Sequence, residues 1–277
     1  MHFPDLSLAF RNIFRRPGFA AVAIALLALG SGANAAVFSV VRGVLIRPLP
    51  FPQPDRIVAL WPNQFVSNED LAYWRERTHS FSDIAAQSPG WMMGLVADGG
   101  EPIKVTAARV SDNLFKTLGA TAALGRTIEP GNAIPGQHRV AVLSDALWRS
   151  RFNADPSIIG RGIQLDQEPH TIIGVMPPGF EVLGPGTDIW APLPWTPGNA
   201  QFKAAFSQGV ARLAPGVTPE AATRELGEMA PAMRRDLGRP NQWGQAITVQ
   251  ALQDAITGDV RPALLILLGA VGLILML

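Results

Sequence analysis

The sequence predicts a membrane-anchored α+β protein: a transmembrane helix, an extramembrane domain of two β-α-β units with an inserted β-rich subdomain, then the start of a second transmembrane helix. Three observations predict it. Phe19 to Val41 carries no charge. Pro262 to Leu277 is a second uncharged run. Between them, short apolar strand-like segments alternate with two stretches that open on helix-capping residues.

The elements follow in chain order. In "DLSLAFRNIFRR", Leu6, Phe10 and Ile13 recur at helical spacing, while Arg11, Arg15 and Arg16 fall on other sides. Residues 1–17 are therefore expected as a cytoplasmic amphipathic helix lying in the membrane interface. A disordered positive flank is the plainer alternative. Pro17 ends this segment, because the residue before a proline avoids the α region.

Residues 18–41 form the predicted span. The 23 uncharged residues from Phe19 to Val41 would make a helix ~34 Å long at ~1.5 Å per residue, enough for a ~30 Å hydrocarbon core. Two alternatives stay open. One is a signal peptide cut after Ala33-Asn34-Ala35; against it, Val37, Phe38, Val40 and Val41 continue the apolar run. The other is a buried core helix, which would show a polar side. Ala28, Gly32 and Ala36 form a row of small residues that lets a second helix approach closely in lipid. Asn34, the one strongly polar residue there, suits a hydrogen bond across that helix interface. The run from 262 to 277 reads as the start of a second span.

Charge places the domain only loosely. Residues 1–41 hold three Arg against one Asp; residues 42–277 hold 20 basic against 21 acidic residues. Positive charge before the first span leans slightly toward a cytoplasmic N-terminus. The near-neutral middle shows no basic stripe, which disfavours nucleic-acid binding. Cysteine is absent, so thiol catalysis, cysteine-held metals and disulfides are excluded.

After the span, Pro48, Pro50, Pro52 and Pro54 predict a stiff connector. Arg56–Trp61 reads as a strand. Ser67 caps a helix with Asp70 three residues on, running through "NEDLAYWRERTHSF". Met92–Asp98 and Ile103–Val110 read as strands around a Gly99-Gly100 turn. Strands are expected at 139–144, 162–165 and 170–176, with a short helix from Asp145 to Phe152 among them. Pro177–Pro197 reads as a proline- and glycine-rich closing stretch. Phe206–Leu213 is a strand, Thr218 caps a helix with Pro219 at its first position, and Gln245–Leu252 is a strand. The predicted domains are thus 1–17, 18–41, a core from 42 to 261, and 262–277. Within the core, 55–130 and 198–257 form one part, and 131–197 is inserted.

No residue constellation points to an enzyme. The lysines Lys104, Lys116 and Lys203 are not preceded by glycine, so no P-loop exists. His2, His79, His138 and His170 lack zinc-helix spacing, and no G-x-S-x-G elbow occurs. No catalytic, cofactor or metal residue is assigned. Of the seven tryptophans, most are expected in the core. Trp190 and Trp195, in "DIWAPLPW", are candidates for an exposed contact with a partner protein or apolar ligand.

The stretch "RNIFRRPGFAAVAIALLALGSGANAAVFSVVRGVLIRPLPFPQPDRIVAL" resembles the opening of MacB/FtsX-type ABC transporter permeases, in the duplicated-permease branch found in acidobacteria. "RVAVLSDALWRSRF", "GRGIQLDQEPHTIIGVMPPGF" and "RLAPGVTPEAA" resemble that family's periplasmic core domain. The resemblance implies a bacterial inner-membrane protein with a cytoplasmic N-terminus. It implies a periplasmic domain with a porter-like part and an inserted subdomain, and further spans beyond the second, within which this chain stops. It also implies a separate ABC ATPase subunit, pairing with another permease half as a dimer or pseudo-dimer, and a periplasmic partner protein. The function so implied is coupling of ATP hydrolysis to periplasmic movement, for export or mechanotransmission. The rival reading is a membrane-anchored or secreted binding module without energy coupling.

Overall fold

The computed structural model describes residues 18, 28, 31, 32, 35, 38, 39, 49–60, 66–97, 99–134, 136–183, 186–193, 206–238, 247–258 and 261–276. Two compact units divide the chain: residues 1–48 with 257–277, and residues 49–256. In the first unit, the described positions from 18 to 39 are helical, and a 16-residue helix runs from Arg261 to Met276. Among the described residues, no helix is long and apolar enough to cross a membrane. The amphipathic segment at 1–17, and most of the predicted span at 18–41, lie outside the described residues.

The second unit is mixed α/β. Its strands are β1 (Ile57–Leu60), β2 (Val66–Ser67), β3 (Phe81–Gln87), β4 (Trp91–Ala97), β5 (Ile103–Val110), β6 (Leu124–Gly125), β7 (Val140–Leu143), β8 (Gly162–Leu165), β9 (Glu168–Val175), β10 (Ile189–Pro192), β11 (Phe206–Leu213) and β12 (Val249–Ala251). Its helices are α1 (Asn68–Arg77), α2 (Leu114–Leu118), α3 (Asp145–Phe152), α4 (Pro219–Asp236) and α5 (Leu252–Thr257).

Capping explains where the helices begin. Ser67 Oγ accepts from the Asp70 N–H at 3.1 Å and opens α1. Thr218 Oγ1 accepts from the Ala221 N–H at 3.3 Å and opens α4, with Pro219 at the first helical position. Each cap satisfies an N–H that has no partner within its helix. The first helix ends at Arg77, short of the Phe81 expected from sequence.

The strands form one hydrogen-bonded path, β10-β7-β9-β8-β4-β5-β3-β11-β1-β12. A further parallel pairing joins β10 to β5. Six strands therefore close on themselves as a barrel: β4, β5, β10, β7, β9 and β8. The remaining strands β3, β11, β1 and β12 form an antiparallel sheet that meets the barrel where Gln87 pairs with Val110.

Period-two alternation sorts the side chains into three cores. Inside the barrel lie Leu95, Val105, Ala107, Ala141, Leu143, Ile163, Leu165, Ile172 and Ile189, joined by Leu147 and Phe152 of α3. A six-stranded barrel is narrow enough for side chains alone to fill. One face of the sheet packs Val58, Leu60, Ile84 and Ala211 under α1 and α4. The opposite face packs Ile57, Ala59, Ala85 and Val210 against α2 and the outer wall of the barrel, where Ala108, Val142 and Trp190 point. Strand β1 is buried at all four positions because it has a core on each side. Gly209 of β11 lies opposite Leu60. A Cβ there would stand 2.9 Å from Leu60 Cβ and 3.0 Å from Leu71 Cδ2, so only glycine lets strand and helix approach so closely.

The structure differs from the sequence reading at further places, among them the strand expected over Gln245–Leu252, which is only Val249–Ala251, with Leu252 opening a helix. Strand β3 takes up a stretch to which the sequence reading gave no element beyond Phe81, the expected end of the first helix. Strand β10 falls inside the proline-rich stretch, with Pro192 as its last residue. The sheet also does not divide at residue 131. The β4–β5 hairpin, expected with residues 55–130, pairs with β8 and β10 and shares the barrel core with residues 141–189.

Candidate functional site

The chain enters the second unit through a proline-rich segment that bends from Pro50 to Gln53, and that segment is clamped. Phe51 is 5% exposed and its ring lies edge-on to Phe180 at 6.0 Å. Phe180 stacks with Phe115 at 5.8 Å and meets Trp190 edge-on at 5.2 Å. Gln53 takes a left-handed conformation, φ 51°, which turns the chain into a short 3-10 turn at Pro54–Arg56 and then into β1.

Two arginines fix this turn to the sheet. Arg56 donates from Nε and Nη2 to the Leu213 carbonyl at 3.0 and 2.6 Å. It also donates to Gln53 Oε1 at 2.8 Å and Ser82 Oγ at 3.1 Å. Arg212, on β11, donates from Nε to the Thr117 carbonyl at 2.8 Å and from Nη1 to the Pro52 carbonyl at 3.1 Å. Burial, and then the charge of Arg56, hold the Arg212 guanidinium below its ordinary pKa, yet it stays cationic at neutral pH. One side chain thus ties the connector, α2 and β11 together. The end of α2 is fixed further by Asp83, which accepts from Asn113 Nδ2 at 2.6 Å and Thr117 Oγ1 at 3.1 Å.

The outgoing chain is fixed to the same strand. On one side β1 pairs with β11, Ile57 opposite Arg212 and Leu60 opposite Gly209. On the other it pairs with β12, Val58 opposite Ala251 and Leu60 opposite Val249. Leu252 follows β12 directly, is fully buried, and joins the core that holds Phe51. Incoming and outgoing segments therefore grip one strand and one core.

The residues singled out from sequence fare differently. Trp190 is fully buried among Phe115 and Phe180, so it presents no surface to a partner; the reading of it as an exposed contact is corrected. The tryptophan was misplaced because β10 was read as loop. Trp195 lies outside the described residues, as do Asn34 and Ala36. Ala28 and Gly32 are helical and exposed, and a Cβ on Gly32 would meet nothing within 4 Å. Phe51, Arg56 and Arg212 escaped the sequence reading; for Phe51 and Arg56 the one available signal was their place beside the four prolines, and Arg212, 160 positions from Pro52, had none. Among the described residues no cluster of three or more His, Asp or Glu side chains could hold a metal ion.

A helix-clad antiparallel sheet fused to a small barrel, with incoming and outgoing chain on one strand, defines a mixed α/β domain. The chain belongs to the family described as MacB-like periplasmic core domain, whose model matches residues 20–229. Solved structures share the fold. The periplasmic region of MacB from Actinobacillus actinomycetemcomitans matches with a TM-score of 0.56 at 11% identity, covering 82% of this chain and 98% of that one. The extracellular domain of the noncanonic ABC-type transporter YknZ from Gram-positive bacteria matches with a TM-score of 0.51 at 14% identity, covering 70% and 99%. No curated protein matches the chain.

Proposed function

We propose that the chain is a permease component of a bacterial ABC transporter, held in the inner membrane by its two apolar segments. In this reading the N-terminus is cytoplasmic and the α/β domain periplasmic. A separate ATPase subunit supplies the energy, and a second permease half completes the assembly. The domain converts movement of its flanking segments into movement of its own parts, for export or for mechanotransmission.

One observation carries this reading. Strand β1 bonds to β11 and β12 at once, and Arg212 joins the connector to α2. Displacing the incoming segment must therefore either shift the sheet or break these bonds together. A binding module merely tethered to a membrane needs no such clamp; a flexible linker would serve. Family membership and the ABC-type transporter YknZ among the similar folds support the same reading.

The test uses the full chain purified in mild detergent from its native membranes. A nucleotide-binding subunit is expected to travel with it, and ATP with vanadate is expected to change the distance between spin labels on Glu101→Cys and Glu228→Cys. A preparation with no associated ATPase, or one whose label distance ignores nucleotide, refutes energy coupling.

A further inference from the structure

The two ends of the barrel are built differently. One end is stoppered by α3, whose Leu147 and Phe152 join Ile158 in the barrel core. The other end holds charge. There Arg109 stands one residue before the end of β5, Glu168 and His170 lie at the start of β9, and β7 begins just after His138 and Arg139.

His170 is only 2% exposed and occupies the same side of β9 as Ile172 of the barrel core. Its Nδ1 lies 3.0 Å from the Glu168 carbonyl oxygen, which can only accept. Nδ1 therefore carries the hydrogen of the neutral ring, leaving the lone pair on Nε2. That lone pair faces Arg109 Nη1 at 3.5 Å. Arg109 Nη2 in turn reaches Glu168 Oε2 at 3.3 Å. Every contact in this set works with a neutral histidine. A proton taken from solvent onto Nε2 would set an N–H against an N–H, and a cation against the guanidinium.

We infer that this end of the barrel is a pH-sensitive latch, shut while His170 is neutral and loosened when Nε2 takes up a proton. The surroundings of the ring oppose protonation from most sides. Arg109 presents its positive charge from β5. His138 and Arg139, ahead of β7, add no negative charge; Arg139 lies beside His170 through the bond from the Thr171 N–H to its carbonyl. Strand β8 opposes His170 with apolar Ile163. Glu168 alone favours the proton, and its side chain is 58% exposed, so water screens it. Burial is the largest cause holding His170 below its ordinary pKa, with the backbone bond to Glu168 opposing and Arg109 adding to the depression.

The latch sits where the barrel meets the sheet. The Arg109 N–H donates to Ser88 Oγ at 2.9 Å, and the Ser88 N–H donates to the Arg109 carbonyl at 2.7 Å. Ser88 follows directly on β3, the strand that pairs with β11. Arg109 thus carries the latch on its side chain and the joint on its backbone, so release of the first is expected to let the second breathe and make the domain more compliant in acid.

The experiment uses the full chain in detergent micelles with isotope-labelled histidine, the His170 signal being assigned with His170→Gln. His170 is expected to titrate below ~6.5, the value of an unperturbed histidine. Amide exchange in residues 103–110 and 168–175 is expected to be several-fold faster in the wild type than in His170→Gln at pH 5, and equal at pH 8. Arg109→Gln should raise the His170 pKa, a shift that survives even if His170→Gln folds poorly. Titration of His170 at or above the ordinary value overturns the latch. So does acid-accelerated exchange that is the same in His170→Gln.

Discussion

Replacing Phe51 by Ala tests whether the connector is part of the domain or only leads to it. Phe51 is 5% exposed, so almost the whole ring is withdrawn from water. A phenylalanine buries at least ~150 Å², and at ~25 cal/mol per Å² that supplies about 4 kcal/mol, an upper figure because the unfolded chain already hides some surface. The ring also leaves a void against Phe180, 6.0 Å away, and that void cannot collapse easily between Phe180 and the buried Leu252. Together these predict a loss of about 3–5 kcal/mol. Urea unfolding of the full chain in micelles, followed by tryptophan fluorescence, measures it, because Trp190 belongs to the same aromatic cluster. Phe51→Leu should cost clearly less, since much of the volume is kept. A loss below about 1 kcal/mol for Phe51→Ala, with unchanged Trp190 emission, would show that the connector does not hold the core, and the clamp would fail with it.

Two further outcomes are expected. Glu225 accepts from the backbone N–H groups of His79 and Ser80 at 2.8 and 2.9 Å; burial pushes its carboxyl up, but these bonds outweigh burial and the net pKa is lowered. A lowered carboxyl stabilises the fold above its unfolded pKa, and that stability is lost as pH falls through the lower folded value; Glu225→Gln should flatten the acid limb of a pH–stability curve, and an unchanged limb would refute the assignment. Because the chain has no cysteine, single cysteines can be labelled cleanly: an impermeant thiol reagent on spheroplasts should reach Glu101→Cys but not Ser7→Cys, and the reverse would invert the proposed topology.

Sequence patterns revealed what is local. Ser67 and Thr218 announced their helices because a cap is a contact over three residues, and Gly99-Gly100 announced the β4–β5 hairpin. Long-range choices were hidden. Nothing in "FSDIAAQ" distinguishes a helix from a strand until β5 and β11 lie on either side of it. Nothing in "IKVTAARV" says that β5 serves both barrel and sheet. That double role comes from its pairings with β4, β10 and β3, of which the one to β10 joins residues about 80 positions apart. The clamp was equally hidden, because Arg212 and Pro52 are separated by 160 positions, and isolated arginines near strands are usually just solvated. Trp190 was misjudged for a related reason: prolines on both sides suggested an exposed loop, yet Pro192 needs no N–H at the end of a strand.

The pairing of β12 with β1 brings the two ends of the domain to neighbouring positions, since adjacent strands lie about 4.8 Å apart. A domain whose ends meet can be set into a tight turn of another protein without prising its host apart. Residues 49–256 are thus expected to be transplantable as a cassette, the host offering two adjacent attachment points. Such a cassette can be exchanged between proteins whose remaining parts have nothing in common, and its shape can diverge freely at the barrel, the region remote in sequence from both junctions.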